Sequence, residues 1–185
     1  MMTITYPVHN GIYVNVTNRC PCACTFCLRQ NGESVYGSDS LWLEREPTVK
    51  EVCDSIDTWD LNKYNEVVFC GYGEPTERLD DLLEVAKYIK SKSDIKIRIN
   101  TNGLADLIWN EPTAPKLQGL IDTVSISLNV TNKEEYLKIV RPKFGIESYE
   151  AMLKFTKECT KYVSLVVMTV VDIVTSKEEQ EICRK

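Results

Sequence analysis

The sequence predicts an α/β fold in which parallel strands, each followed by helix, curl toward a partial (β/α) barrel. Three observations predict it. Val/Ile-rich runs recur five times, amphipathic stretches lie between them, and helix-start signals separate one run from the next. Strands apolar on both faces suit a parallel sheet covered by helices, and right-handed crossovers bend such a sheet toward closure. Functional groups of these folds collect where the strands end, at their C-terminal edge.

The first strand is read at Gly11 to Val16, where Ile12, Tyr13 and Val14 lie together. Next, Val49, Val52, Cys53, Ile56 and Trp59 repeat at helical spacing, and Thr48 with Glu51 forms a capping box ahead of them. A second strand at Glu66 to Cys70 leads into Leu79, Leu82, Leu83, Ala86 and Ile89, another helical stripe. Strands three to five are read at Ile95 to Ile99, Thr123 to Leu128 and Tyr162 to Val171. Two further capping boxes, Thr131 with Glu134 and Thr175 with Glu178, predict helices after the fourth and fifth strands.

Length and composition set limits on function. A chain of 185 residues fits one domain, 1–185, and 43% hydrophobic with 26% charged residues is ordinary for a globular protein. A net charge of -5 gives no global pull toward nucleic acid, so a nucleic-acid partner is not expected. The longest apolar stretch, Val163 to Val171, is interrupted by Ser164 and Thr169 and falls far short of the roughly 20 residues a membrane span needs. The first ten residues lack a signal peptide's basic and apolar regions, so a cytoplasmic location is expected. The eight cysteines then read as free or metal-bound thiols rather than disulfides.

Three of those cysteines carry most of the chemical information. Cys20, Cys24 and Cys27 form a C-x3-C-x2-C run directly after the first strand. A loop this short can aim three thiolates at one polynuclear iron-sulfur cluster, leaving one iron of a cubane open to another ligand. The competing reading is a structural zinc with Cys22 as fourth ligand, which would make the chain a zinc-stabilised, non-catalytic binding module. Cys22 stands two residues from both Cys20 and Cys24, an awkward separation for joint ligation of one ion. Two other segments follow strands and fall at the same edge: Gly71 to Pro75, with glycines suited to a tight turn, and Asn100-Thr101-Asn102-Gly103.

The run Asn18 to Arg29, joined to Gly71-Tyr72-Gly73-Glu74-Pro75 after the second strand, resembles the radical S-adenosylmethionine (SAM) superfamily. Tyr6 to Gly11 with Asn15 to Arg19 is similar, more narrowly, to the TatD-associated radical SAM proteins, a match confined to the first thirty residues. The resemblance implies a six-stranded partial barrel, of which five strands are counted here and the sixth is missing or lies beyond Lys185. It implies a 4Fe-4S cluster on Cys20, Cys24 and Cys27, with SAM chelated at the open iron and cleaved reductively to a 5′-deoxyadenosyl radical that abstracts hydrogen from a substrate. That substrate would be a small molecule or a protein, and the electron donor a flavodoxin or ferredoxin.

The same resemblance assigns cofactor-binding residues, each with a plainer reading beside it. Phe26 would flank the adenine, or simply pack the loop. Gly71, Tyr72, Gly73 and Glu74 would receive the amino group of SAM, with Glu74 either a direct contact or a brace for the turn. Asn102, Ser127 and Asn129 would offer polar contacts, or end their strands by local hydrogen bonding. Arg141 reads as a solvated surface group, and His9, the one histidine, as a turn residue. Cys53 and Cys159 read as core, Cys70 as core or cavity wall, and Cys183 carries no reading. The polar loop Gly32 to Glu46, with Tyr36, Asp39 and Trp42, reads as a lid, a docking surface or a solvated connection.

Overall fold

The structure, a computed structural model, describes residues 2–30, 39–172 and 175–183. One sheet holds six strands in sequence order: β1 (Thr5–Val8), β2 (Gly11–Val14), β3 (Glu66–Phe69), β4 (Lys96–Thr101), β5 (Thr123–Ser127) and β6 (Leu165–Thr169). Strands β2 to β6 run parallel, and β1 pairs antiparallel with β2. The five expected parallel strands are therefore all present. The sheet also holds β1, a short antiparallel edge strand ahead of them, which brings its strands to six.

Pro7 explains why β1 escapes a sequence reading. Proline has no N–H for a sheet ladder and signals a break, yet an edge strand tolerates it because one side goes unpaired. Pro7 sits opposite Ile12, with β1 covered on that side alone. The two-residue turn between them, His9 and Asn10, has His9 at φ 49°, so the lone histidine is indeed a turn residue.

The helices are α1 (Val49–Ile56), α2 (Leu79–Lys92), α3 (Ala105–Trp109), α4 (Lys133–Val140), α5 (Ser148–Cys159) and α6 (Lys177–Cys183). The Thr48/Glu51 capping box is present at α1 in both directions. The other two boxes shift by one residue. Asn132 caps α4 by accepting from the Glu135 amide, and Ser176 pairs reciprocally with Glu179 at α6. Asn132 and Ser176 cap somewhat more strongly than the threonines beside them and also have a glutamate three residues on, so the later register wins.

Alternation along the strands separates two faces. Val67 and Phe69 of β3, Ile97 and Ile99 of β4, and Val124 and Ile126 of β5 pack with Leu82, Val85 and Ala86 of α2 and Met152 and Phe155 of α5. Each of these side chains larger than alanine contributes roughly 1.5–3 kcal/mol by leaving water. Cys53 and Cys159 are buried in this cluster, as expected. The opposite face carries Tyr13, Glu66, Val68, Arg98, Asn100, Ser125 and Ser127, a largely polar lining. There Arg98 Nη2 donates to Glu66 Oε1 at 2.7 Å and to the Tyr13 hydroxyl at 3.3 Å. No helix among the described residues is long and apolar enough to cross a membrane.

Candidate metal and cofactor site

Strand geometry delivers the site. β2, β3, β4 and β5 all end at one edge, so the segments after them meet there, and a cavity of about 190 Å³ opens between them. Its wall includes Cys20, Cys24, Phe26, Gly71, Gly73, Glu74, Asn102, Ser127 and Asn129, nine of the residues singled out from sequence. Cys27 and Tyr72 are not in that wall. They line an adjoining, more apolar cavity of about 410 Å³, which shares Cys24, Phe26 and Gly71 with the first.

Backbone contacts between the cysteine loop and the glycine turn fix their relative position. A Cβ on Gly73 would lie 2.2 Å from the Thr17 carbonyl oxygen and 2.7 Å from that of Arg19, and one on Gly71 would lie 2.1 Å from Asn15 Oδ1. Only glycine permits approaches this close. The Glu74 amide then donates to the Arg19 carbonyl at 2.7 Å, joining the two loops directly.

Glu74 is a brace. Its Oε1 accepts from the Thr76 amide, the Thr76 hydroxyl and the Thr101 hydroxyl at 3.1, 2.7 and 2.7 Å, while Oε2 accepts from the Asn102 amide at 2.8 Å. One carboxylate thus holds the β3 turn against the end of β4. Burial pushes its pKa up, and the four hydrogen bonds work against that rise.

Asn102, so positioned, aims its side-chain amide at sulfur. Nδ2 lies 3.6 Å from Cys22 Sγ and 4.0 Å from Cys20 Sγ, and Oδ1 accepts from the Leu104 amide. Cys22 itself is buried between Cys20 and Cys24. Its S–H lowers the pKa of both neighbouring thiols, and its own pKa rises because it must supply that proton. The structure therefore places a fourth thiol within the loop, nearer its neighbours than the spacing alone implies. Among the described residues no three His, Cys, Asp or Glu side chains converge as a ready-made site for one ion.

Tyr136 carries no sequence signal, while Asn100 belongs to the segment expected at this edge. Among the described residues, Asn100 Oδ1 and the Tyr136 hydroxyl are buried with no hydrogen-bond partner, and both residues face the 190 Å³ cavity. Burial drives the Tyr136 phenol well above its usual pKa, which keeps its proton in place. Cys70 proves to be cavity wall, its thiol pushed up by burial. Asn129 reaches the cavity from a left-handed backbone with φ 65°, a conformation asparagine tolerates better than most residues. Arg141 remains on the surface as the C-cap of α4.

The described part of the polar loop, residues 39–46, is anchored rather than freely solvated. Asn15 Nδ2 donates to the Leu41 carbonyl at 2.8 Å, Asn18 exchanges two hydrogen bonds with Leu43, and Glu46 accepts from Thr17 and Arg19. Trp42 stacks edge-on against Tyr72 with ring centroids 5.1 Å apart. Tyr36 lies outside the described residues.

The donor set, three cysteines with an added neutral thiol, fits an iron-sulfur group. The orphaned Asn100 and Tyr136 atoms and the glycine-lined approach fit a polar ligand beside it. Fold and site together define an α/β half-barrel with a thiol-lined pocket at its C-terminal strand edge. The chain belongs to the radical SAM superfamily, whose family model matches residues 14–185. Membership implies a 4Fe-4S cluster and SAM as cofactors.

Among characterised proteins, the chain is 27% identical over 135 residues to a GTP 3′,8-cyclase of Lactiplantibacillus plantarum. That match covers 72% of this chain and 38% of the cyclase. It is 25% identical over 136 residues to molybdenum cofactor biosynthesis protein 1 of Drosophila melanogaster, covering 73% of this chain and 22% of that protein. The chain thus spans well under half the length of these relatives. A radical SAM methyltransferase from Sphaerobacter thermophilus superposes with a TM-score of 0.63 at 17% identity, over 96% of this chain and 53% of that one. Methylornithine synthase gives 0.61 at 13% identity, over 92% of this chain and 47% of that one. At such identities these two similarities establish the fold.

Proposed function

We propose that this chain acts as a single-domain radical SAM enzyme in a reducing cytoplasm, of the TatD-associated kind that its first thirty residues resemble. One observation carries the reading. The cysteine loop, the glycine turn and the polar ends of β4 and β5 meet around one cavity at the strand edge. When bound there, a 4Fe-4S cluster and SAM supply one-electron cleavage to a 5′-deoxyadenosyl radical that takes hydrogen from a substrate.

The chain's own residues bind and orient. Cys20, Cys24 and Cys27 are the cluster ligands, and Cys22 remains a thiol beside them. Phe26, at the junction of the two cavities, covers the adenine and keeps water from it. The backbone of Gly71, Tyr72 and Gly73 receives the ammonium group, while Glu74 holds that backbone in place and adds negative potential. Asn102, Ser127 and Asn129 contact the ribose and carboxylate. The substrate is a small molecule or a protein, and a flavodoxin or ferredoxin delivers the electron.

Anaerobic reconstitution with iron and sulfide tests this. Four irons per chain, a cluster spectrum and reductant-dependent 5′-deoxyadenosine are expected, and absence of cluster and product together defeats the reading. A second reading, a zinc-stabilised binding module with Cys22 as fourth ligand, is disfavoured because among the described residues no three His, Cys, Asp or Glu side chains converge on one ion. Stoichiometric zinc without iron or sulfide in anaerobically purified protein would select it.

A further inference from the structure

Arg29 follows Cys27 by two residues, in a single 3-10 turn, Leu28–Gln30, and no reading above gives it a task. Its guanidinium makes contacts from three nitrogens. Nε donates to Cys27 Sγ, Nη1 to the Asn18 carbonyl and Nη2 to the Cys22 carbonyl, each at 3.3 Å. These acceptors lie before, within and at the end of the cysteine loop. The group also stands 6.0 Å from the centre of the Trp42 ring, which is held in turn against Tyr72.

Two further observations bear on its charge. Arg29 is half-buried, and among the described residues no carboxylate lies within ion-pair distance of it. Among the described residues, its hydrogen-bonded partner capable of carrying negative charge is the Cys27 sulfur. A planar guanidinium holds three acceptors at fixed angles, which an ammonium cannot do.

We infer that Arg29 is a positioning residue with two effects on the cluster held by Cys20, Cys24 and Cys27: it raises the reduction potential, and it latches Cys27 to the start of the loop. This rests on the cluster reading proposed above. Reduction adds one electron to the cluster, taken from the donor, which loses one, and no bond or proton moves. The added negative charge is stabilised by an N–H···S bond and by the nearby guanidinium charge, both recognised controls on cluster potential. Latching follows from geometry, since the guanidinium that donates to Cys27 Sγ is itself held in place by the Asn18 and Cys22 carbonyls.

Arg29→Gln and Arg29→Lys, reconstituted anaerobically beside the unmutated chain, test both effects by mediated redox titration followed by electron paramagnetic resonance. Circular dichroism checks the fold, and iron release to a chelator reports the latch. Arg29→Gln is expected to lower the reduced-to-oxidised ratio at fixed poise about tenfold, a shift of about 59 mV for one electron. Arg29→Lys, which keeps the charge and loses the fork, is expected to fall between the two in potential and to release iron faster than the unmutated chain. A folded, fully loaded Arg29→Gln with an unchanged or higher potential overturns the inference. If Arg29→Gln takes up no iron, the latch is supported and Arg29→Lys decides the potential, an unmutated value overturning that half. An unmutated chain that takes up no cluster overturns the cluster reading first, and iron and sulfide analysis of that chain tells the two failures apart.

Discussion

The two edges of the sheet differ in a way that cavity size does not reveal. At the N-terminal edge of the strands lies the larger hollow, about 660 Å³, lined by Asp57, Trp59, Tyr64, Lys92 and Lys96 among others. Its two lysines are paired, Lys92 with Asp57 at 2.8 Å and Lys96 with Asp122 at 3.2 Å, and the Trp59 indole donates to Thr5. The C-terminal edge holds a smaller cavity with orphaned polar atoms, shifted thiols and glycines packed against backbone. Unmet bonding capacity, rather than volume, separates a site from a surface hollow.

Mutation of the two edges tests that contrast most severely at the ligands. Cys20→Ser, Cys24→Ser or Cys27→Ser is expected to abolish cluster absorbance and 5′-deoxyadenosine formation. Asp57→Asn at the opposite edge is expected to leave both unchanged and cost at most about 1 kcal/mol, as exposed ion pairs do. Equal loss from both edges would erase the distinction.

Glycines give the next largest difference. Gly73→Ala drives a methyl into the Thr17 and Arg19 carbonyls and is expected to cost about 1–3 kcal/mol, with loss of SAM binding. Gly119, before β5 at the other edge, has φ 74° and open space around it, so Gly119→Ala is expected to cost only the left-handed backbone penalty of about 1–2 kcal/mol and to spare SAM binding. Thermal melts with and without SAM read both quantities.

Two carboxylates are expected to respond to pH with opposite signs. Burial raises Glu74 in the folded state, so its proton favours the fold. That stability is full below the ordinary carboxylate range and is lost as pH rises through the folded pKa. Glu51, bonded to Arg45 and to the Thr48 cap, is lowered to about 2, so its contribution is present above the ordinary range and is lost as pH falls toward that value. Melting temperatures of Glu74→Gln and Glu51→Gln between about pH 3 and pH 7 separate the two.

Tyr136→Phe is the smallest change. Removing a buried hydroxyl with no partner is expected to stabilise the free protein by about 1 kcal/mol while weakening SAM binding. A gain in stability with unaltered binding would place Tyr136 in the packing alone.

What sequence revealed follows from what each residue type can do by itself. Val67, Val68 and Phe69, or Thr123 to Ile126, advertise a strand because their shapes suit a sheet in any context. Spacing announces Cys20, Cys24 and Cys27 because ligation constrains neighbours along the chain. β1 was hidden by Pro7, whose tolerance depends on an edge that exists only in the fold. Tyr136 and Asn100 reach the cavity through helix placement and strand parity. Cys22 was read as poorly placed, yet the loop's turn brings its sulfur between two others.

Gly73 lies against the carbonyls of Thr17 and Arg19, and the Glu74 amide is tied to the latter. These two segments, residues 17–19 and 73–74, are therefore expected to open to solvent together, as one cooperative unit in hydrogen exchange. Order imposed on the cysteine loop therefore also stiffens the glycine turn, passing from one half to the other without any part having to travel.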